Sequence, residues 1–215
     1  KIDGSIVTEC VEFLKYHTKT DVIAIKSTIT PDIITNLQKG YRGDRVIFNP
    51  EFLMERTYKD DFVNPDFHIF GGHKIVCNAL LNIYEKYSKC KPCTAYFVSG
   101  TEASLIKYGI NSFLSSKVTW FNQFFDVVDQ HGGDYNTVIN AITSDSRITS
   151  SHTLVPGHDG KRGFGGACFP KDTAALLGVS PQFSILQEVV DRNNEYRVGY
   201  ELGDREKAQD IHFDD

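Results

Sequence analysis

The sequence predicts an α/β domain built on a parallel sheet, followed by an all-α domain, with the boundary near Gly100. Three observations carry that expectation. Short runs rich in β-branched and aromatic residues alternate with segments of helical period as far as Val98, which is how crossover helices build parallel sheets. Strand-like runs then stop, and from Thr101 the apolar residues recur at helical spacing in one long segment. Proline and glycine punctuate the periodic segments at Pro31, Gly40, Gly132-Gly133 and Pro181.

Each element follows in order. Ile6, Val7, Cys10, Val11, Phe13 and Leu14 recur at helical spacing, and Val22-Ile23-Ala24-Ile25 has the continuous apolar character of a buried strand. Thr30-Pro31 reads as an N-cap followed by proline at the first helical position, opening a short helix that Gly40 closes. Val46-Ile47-Phe48 and Phe67-His68-Ile69-Phe70 are two further strands, a helix spans about His73 to Tyr87, and Ala95-Tyr96-Phe97-Val98 is the last strand.

Beyond Thr101, the residues Ala103, Leu105, Ile106, Ile110, Phe113, Leu114, Val118, Phe121 and Phe125 lie along one broad apolar stripe that ends at Gly132-Gly133. Asp134 caps the next helix, through Val138, Ile139 and Ile142. Between Thr143 and Gly166 no periodicity is visible, and an aperiodic segment of that length is expected to be functional or mobile. The last clear helix starts near Pro181 and carries Phe183, Ile185, Leu186, Val189 and Val190, and the charged tail after Gly203 is expected to fray.

Composition narrows the function classes. The 215 residues carry a net charge of −5, with 40% hydrophobic residues. Mild acidity without a basic run argues against nucleic acid as a partner, and no apolar stretch approaches the roughly 20 residues that span a bilayer. Five scattered cysteines and no signal-peptide pattern point to a reducing cytoplasm rather than a disulfide framework. The chain opens on Lys1 in a helical pattern, so its start reads as a cut.

The most informative stretch is Gly163-Phe164-Gly165-Gly166-Ala167-Cys168-Phe169-Pro170-Lys171-Asp172. It sets one cysteine on a glycine-rich approach where a helix is about to start. Unpaired N–H groups there, with Lys171 beside them, favour a thiolate, and glycines let a ligand approach the backbone. Cys168 and Asp172 are four apart, which places thiol and carboxylate on one helical face.

Other candidates stand at strand ends and on the long helix. Lys26-Ser27-Thr28 and Asn49-Pro50-Glu51-Phe52-Leu53-Met54-Glu55 each follow a predicted strand, where ligand crevices of such sheets lie. Glu51 and Glu55 are four apart and share a face if the segment is a helical turn. Lys107 and Asn111 form another such pair, with Gly109 between them at a cost of about 1 kcal/mol relative to alanine. Close helix packing or ligand approach would justify that glycine. The loop from Val155 to Gly163 offers backbone N–H groups, Lys161 and Arg162, which suit a diphosphate. Cys90-Lys91-Pro92-Cys93 has neither a following helix nor a second such motif to make a redox or zinc site, and His68 and His73 near Cys77 lack ligand spacing, so no metal is expected.

The decapeptide around Cys168, the Lys-Ser-Thr, the Asn-Pro-Glu-Phe-Leu element and the Lys107/Asn111 helix together resemble the UDP-glucose 6-dehydrogenase branch of the nucleotide-sugar dehydrogenases, which also include GDP-mannose 6-dehydrogenases. The resemblance runs from about Ser5 to Tyr196. It implies that residues 1–99 are the C-terminal part of an NAD-binding Rossmann-like domain and that residues 100–215 are a helical domain carrying the catalytic cysteine. No Gly-x-Gly-x-x-Gly follows a strand, so the chain reads as the central portion of that architecture.

The implied reaction is the NAD-dependent four-electron oxidation of UDP-glucose to UDP-glucuronate. Cys168 would capture the aldehyde, Lys107 and Asn111 would stabilise oxyanions, Asp172 and a Thr28-bound water would manage protons, and Glu51 would activate water. Glu51, Phe52, Leu53, Lys107, Asn111, Arg147, Gly163, Phe164 and Gly165 are the implied substrate contacts, and Ser27, Thr28, Glu55 and Lys171 the implied cofactor contacts. Met54-Glu55-Arg56 departs from the small residue that relatives carry after the second glutamate. Arg147, in Asp145-Ser146-Arg147-Ile148, would reach a neighbouring subunit in a homodimer or pair locally with Asp145. Phe113, Trp120, Phe121, Phe124 and Phe125 offer more aromatic surface than a small helical domain needs, which favours the dimer. The alternative reading is a non-catalytic binding or assembly module of the same fold, or a GDP-mannose 6-dehydrogenase.

Overall fold

The structure, a computed structural model, describes residues 3–213. The chain forms two compact units, one reaching to Gly109 and the other starting at Ile110.

The first unit holds helices on both faces of a four-stranded sheet. Its elements are α1 (Ser5–His17), β1 (Ile23–Ile25), α2 (Pro31–Leu37), β2 (Val46–Phe48), α3 (Tyr58–Val63), β3 (Phe67–Gly71), α4 (Lys74–Tyr87), β4 (Thr94–Val98) and the start of α5 (Gly100–Gln130). Side chains alternate across a strand, so β2 divides its apolar residues between two cores. Val46 and Phe48 join Val11, Ile23, Ile25, Ile34, Leu37 and Ala103 on the face that α1, α2 and the start of α5 cover. Ile47 joins Phe70, Val76, Cys77 and Leu80 on the α4 face.

Strand order is β1-β2-β3-β4, and the expected parallel pairing holds for β1 with β2 and for β3 with β4. The middle junction differs. β2 meets β3 antiparallel, through the single pair Phe48 and Gly71. Side chains supply the missing ladder bonds: Gln38 Nε2 donates to the carbonyls of Val46 and Gly71, both at 3.0 Å, and Asn49 Nδ2 donates to Ile69 O at 2.8 Å. Such a junction leaves no trace in hydrophobic period, because polar side chains from outside the strands make it.

Two local expectations also change. Thr30 occupies the N-cap of α2 and Pro31 the next position, but the threonine side chain makes no capping bond. α3 and a 3-10 turn at Gly43–Arg45 were not expected from the pattern, since neither is long enough to show a period.

The second unit is helical, as the sequence predicts. After α5 come α6 (Tyr135–Ile142), α7 (Phe169–Val179), α8 (Ser184–Arg197) and α9 (Asp204–Ala208). Gly132, at φ +69°, lies just past the end of α5, in the left-handed region that suits glycine, and Gly133 N donates to Val128 O at 2.9 Å. Asp134 caps α6 as expected, accepting from the N–H groups of Asn136 at 3.3 Å and Thr137 at 3.0 Å. Phe121, Val128, Tyr135 and Ile139 form a core with Phe124, Phe125 and Val155 packed against it. Phe121 therefore fills the domain's own interior, and of the five aromatics singled out only Phe113 and Trp120 are clearly exposed, at 69% and 53%.

The tail from Asp204 to Phe213 is folded, not frayed. It forms α9 and buries Glu206, Ile211 and Phe213. Charge composition hid this, because two apolar residues past the helix anchor it. The segment between Thr143 and Gly166 has no helix or strand, yet side chains hold its end in place.

Candidate active site

In the first unit the site is built where two strands end. β1 and β2 run parallel with Ile25 opposite Phe48, so Lys26-Ser27-Thr28 and Asn49-Pro50-Glu51 leave the sheet at one edge. Ser27 is exposed and Thr28 half-buried. Asn49, 1% exposed, ties this edge together: its N–H donates to Ile25 O at 2.9 Å, and its Oδ1 accepts from Lys26 Nζ and Tyr84 Oη, both at 2.7 Å. Lys26 Nζ also lies 3.3 Å from Glu51 Oε1.

Lys107 meets the same loop from α5. It is 8% exposed, donates from Nζ to the Glu51 carbonyl at 2.5 Å, and sits 4.9 Å from the centre of the Phe52 ring. A cleft of about 160 Å³ opens here, lined by Lys26, Glu51, Phe52, Leu53, Met54 and Phe67 among others. The expected helical face shared by Glu51 and Glu55 is absent. Residues 49–54 are neither helix nor strand, and the turn begins only at Glu55, which is exposed. Pro50 has no N–H to donate, and Met54 N donates instead to Asp61 Oδ2 at 2.8 Å.

In the second unit the cysteine stands where the sequence puts it. Cys168 is the N-cap of α7, with φ −95° and ψ −57°, exposed and without a capping bond from its side chain. One helical turn on, Asp172 N donates to Cys168 O at 2.9 Å. The Asp172 side chain is 2% exposed, and both oxygens are engaged: Oδ2 accepts from Asn111 Nδ2 at 2.5 Å, and Oδ1 pairs with Lys171 Nζ. Asn111 is itself 6% exposed, so a buried amide and a buried carboxylate satisfy one another.

The glycines before the cysteine serve the chain's own side chains first. A Cβ on Gly163 would fall 2.5 Å from Asn193 Oδ1, and one on Gly165 would fall 2.5 Å from Arg197 Nη1 and 2.7 Å from Glu206 Oε1. Gly166, at φ +75°, has open space where a Cβ would go. Asn193 grips the Phe164 backbone at both ends, accepting from its N–H at 2.6 Å and donating to its carbonyl at 3.0 Å. Arg197 donates to Gly163 O at 2.8 Å and to Asp159 Oδ2 at 2.7 Å.

Other expected cations are committed locally. Arg162 pairs with Asp126 at 2.6 Å and lies 4.3 Å over the Tyr196 ring, and Lys161 donates to Glu201 O at 2.7 Å. Arg147 pairs with Asp145 at 2.6 Å, with its side chain 86% exposed. Apart from its chain neighbours and the backbone of its own helix, no described atom comes within 4 Å of a Cβ position on Gly109.

Sequence reasoning named Lys26 and Asn49 within their motifs but gave them no role, and it missed Asn193, Arg197 and Glu206 in the second unit. The signal for Asn193 and Arg197 was present, as two polar residues four apart on the same face of α8 as the buried Leu186. Glu206 carried none.

The cysteines differ in ways that predict a labelling order. Burial pushes the Cys77 thiol up to about 11 and raises Cys90 and Cys93 as well. A rise from 9 to about 11 lowers the thiolate fraction about 100-fold at neutral pH. Iodoacetamide at neutral pH is therefore expected to modify Cys168 ahead of Cys90 and Cys93 and to leave Cys77 untouched in the folded protein. Peptide mapping checks this, and faster labelling of Cys90 or Cys93 contradicts it. Cys90 Sγ lies 3.3 Å from His68 Nε2, but among the described residues no group of His, Cys, Asp and Glu could hold a metal ion. No helix among them is long and apolar enough to cross a membrane.

Residues 101–195 match the central domain of the UDP-glucose/GDP-mannose dehydrogenase family. A UDP-glucose 6-dehydrogenase of Rickettsia bellii is 32% identical over 204 residues, covering 90% of this chain and 45% of that protein. One from Haloferax volcanii is 33% identical over 221 residues, covering 89% and 49%. The solved structure of a UDP-glucose dehydrogenase from Pyrobaculum islandicum superposes with a TM-score of 0.73 at 25% identity, over 90% of this chain and 46% of that one. The chain thus spans about half the length of the relatives it matches.

Proposed function

Since the chain belongs to the UDP-glucose/GDP-mannose dehydrogenase family, we propose that it carries the cysteine chemistry of an NAD-dependent oxidation of UDP-glucose to UDP-glucuronate. The observation that carries this reading is the exposed Cys168 at the start of α7, one turn before a buried Asp172 that Asn111 holds. Residues 1–99 serve as the C-terminal part of an NAD-binding domain, and residues 100–215 as the helical catalytic and dimerisation domain.

NAD, when bound, accepts the hydride in each of two oxidations. Ser27 and Thr28 fit a role in holding it, because they follow a parallel strand at its C-terminal edge, Ser27 exposed and Thr28 half-buried. Glu55 and Lys171 complete the contacts assigned to the cofactor. Phe52, Leu53, Gly163, Phe164 and Gly165 are the substrate contacts in this reading, joined by Arg147 of a second copy.

The sugar's C6 alcohol first gives up a hydride and a proton, with Asp172 and a water on Thr28 moving the proton. Cys168 Sγ then bonds to the aldehyde carbon, and the oxyanion of the thiohemiacetal is stabilised by the Lys107 ammonium and the Asn111 amide. A second hydride leaves a thioester. Glu51, which Lys26 steadies, takes a proton from the attacking water, the C–S bond breaks, and the uronate departs as the thiol reforms. Covalent capture keeps a reactive aldehyde from escaping.

Turnover stoichiometry tests the proposal. Incubation with UDP-glucose and NAD should yield two NADH per uronate, with no free aldehyde. Oxidation of GDP-mannose instead would move the chain to the other branch. Stable dimers with no oxidation of either sugar nucleotide would favour an assembly module.

The assembly is proposed as a homodimer through helices of the second unit. Phe113, Trp120 and Val127 recur every seven residues on α5 and are exposed at 69%, 53% and 49%. Light scattering at micromolar concentration should give twice the chain mass, and Trp120→Glu should return it to the monomer. A monomer at every concentration contradicts the dimer.

A further inference from the structure

We propose that Glu206 is a positioning residue for Cys168, so that the segment after α8 sets the presentation of the reactive thiol. The proposal rests on the reading of Cys168 as the nucleophile. Glu206 Oε1 accepts the Gly166 N–H at 2.7 Å, and Oε2 accepts the Gly203 N–H at 2.7 Å. One carboxylate, 8% exposed, thereby joins the glycine loop two residues before Cys168 to the backbone at the start of α9.

The connection matters because neither partner is fixed by itself. Gly166 is at φ +75° with open space around its Cβ position, so no packing holds it there. It also has the widest choice of backbone conformations of any residue type. The preceding residues are well secured, Phe164 by Asn193 and Gly163 by Arg197, but those bonds end before Gly166. α9 has only five residues, too short to persist alone, and is held by burial of Ile211 and Phe213. The path from the anchored tail to the cysteine therefore runs through Glu206. Its neighbour Arg197 lines the same space, since both side chains meet the position of a Gly165 Cβ, and this leaves Glu206 Oε1 little room to turn away.

The test compares the protein with its Glu206→Ala and Glu206→Gln variants, using amide hydrogen exchange and iodoacetamide labelling. In Glu206→Ala the Gly166 amide should exchange at least about tenfold faster, while the Phe164 amide held by Asn193 keeps its rate. The labelling rate of Cys168 relative to exposed Cys10 should fall at least about threefold, because a loosened loop spends less time presenting the thiol at the start of α7. Glu206→Gln keeps one carbonyl oxygen and should fall between the two, which provides the comparison should the alanine variant unfold. A folded variant with unchanged Gly166 exchange and an unchanged Cys168 to Cys10 ratio overturns the proposal. If Cys168 were not the nucleophile, oxidation would survive its replacement, whereas these two readouts would still respond to Glu206.

Discussion

Replacing Cys168 by serine should stop uronate formation, lowering its rate at least about 10³-fold with UDP-glucose and NAD, as loss of a covalent nucleophile does elsewhere. The fold should not suffer. Cys168 is an exposed N-cap without a capping bond, and serine is among the best N-cap residues, so thermal stability is expected to hold or rise slightly. NADH formation and a melting curve on the same sample separate chemistry from folding. Wild-type turnover in Cys168→Ser would place the covalent step elsewhere.

The second large effect is at the buried pair. Asp172→Ala removes the acceptor of Asn111 Nδ2 and the partner of Lys171 in one change. The amide is left 6% exposed without that acceptor, which costs about 1–3 kcal/mol of stability. Loss of a proton-transfer group lowers oxidation by a further factor of about 10²–10⁴. In the double variant Asp172→Ala/Asn111→Ala the stability losses should be less than additive, because the two side chains satisfy each other. Denaturant unfolding of the four proteins in this cycle measures the coupling, and strict additivity would mean the 2.5 Å contact contributes nothing.

Local chemistry in the sequence was legible where it acts over one turn or one strand. Pro31, Gly132 and Asp134 start or stop helices as their backbone preferences require, and Cys168 heads α7 because Pro170 suits its first turn. The strand at Val46-Ile47-Phe48 was legible as an apolar run, and its alternating side chains divide between the two cores. What escaped depends on polar side chains reaching across the fold. Gln38 and Asn49 replace ladder bonds between β2 and β3, and Asn193, Arg197 and Glu206 bind backbone far away in sequence. No periodicity announces such contacts. Glu206 lay in a charged tail whose composition suggested solvent, whereas in the structure Ile211 and Phe213 are buried with it.

The same distinction applies to Glu51. Spacing of four suggested a helical pair with Glu55, but Pro50 and the Asp61 contact with Met54 hold this loop out of a helix. What sets Glu51 is instead Lys107 on its carbonyl and Lys26 beside its carboxylate.

The central claim is that Cys168 becomes covalently bonded to the oxidised sugar carbon, and the Glu51→Gln variant tests it most directly. Without Glu51 to activate water, thioester hydrolysis slows, and the acyl-enzyme should accumulate during turnover. Acid-quenched samples incubated with UDP-glucose and NAD should gain the mass of the uronyl nucleotide on the peptide containing Cys168, and hydroxylamine should remove it. Continued turnover with no adduct on Cys168, or an adduct on another residue, would contradict the account.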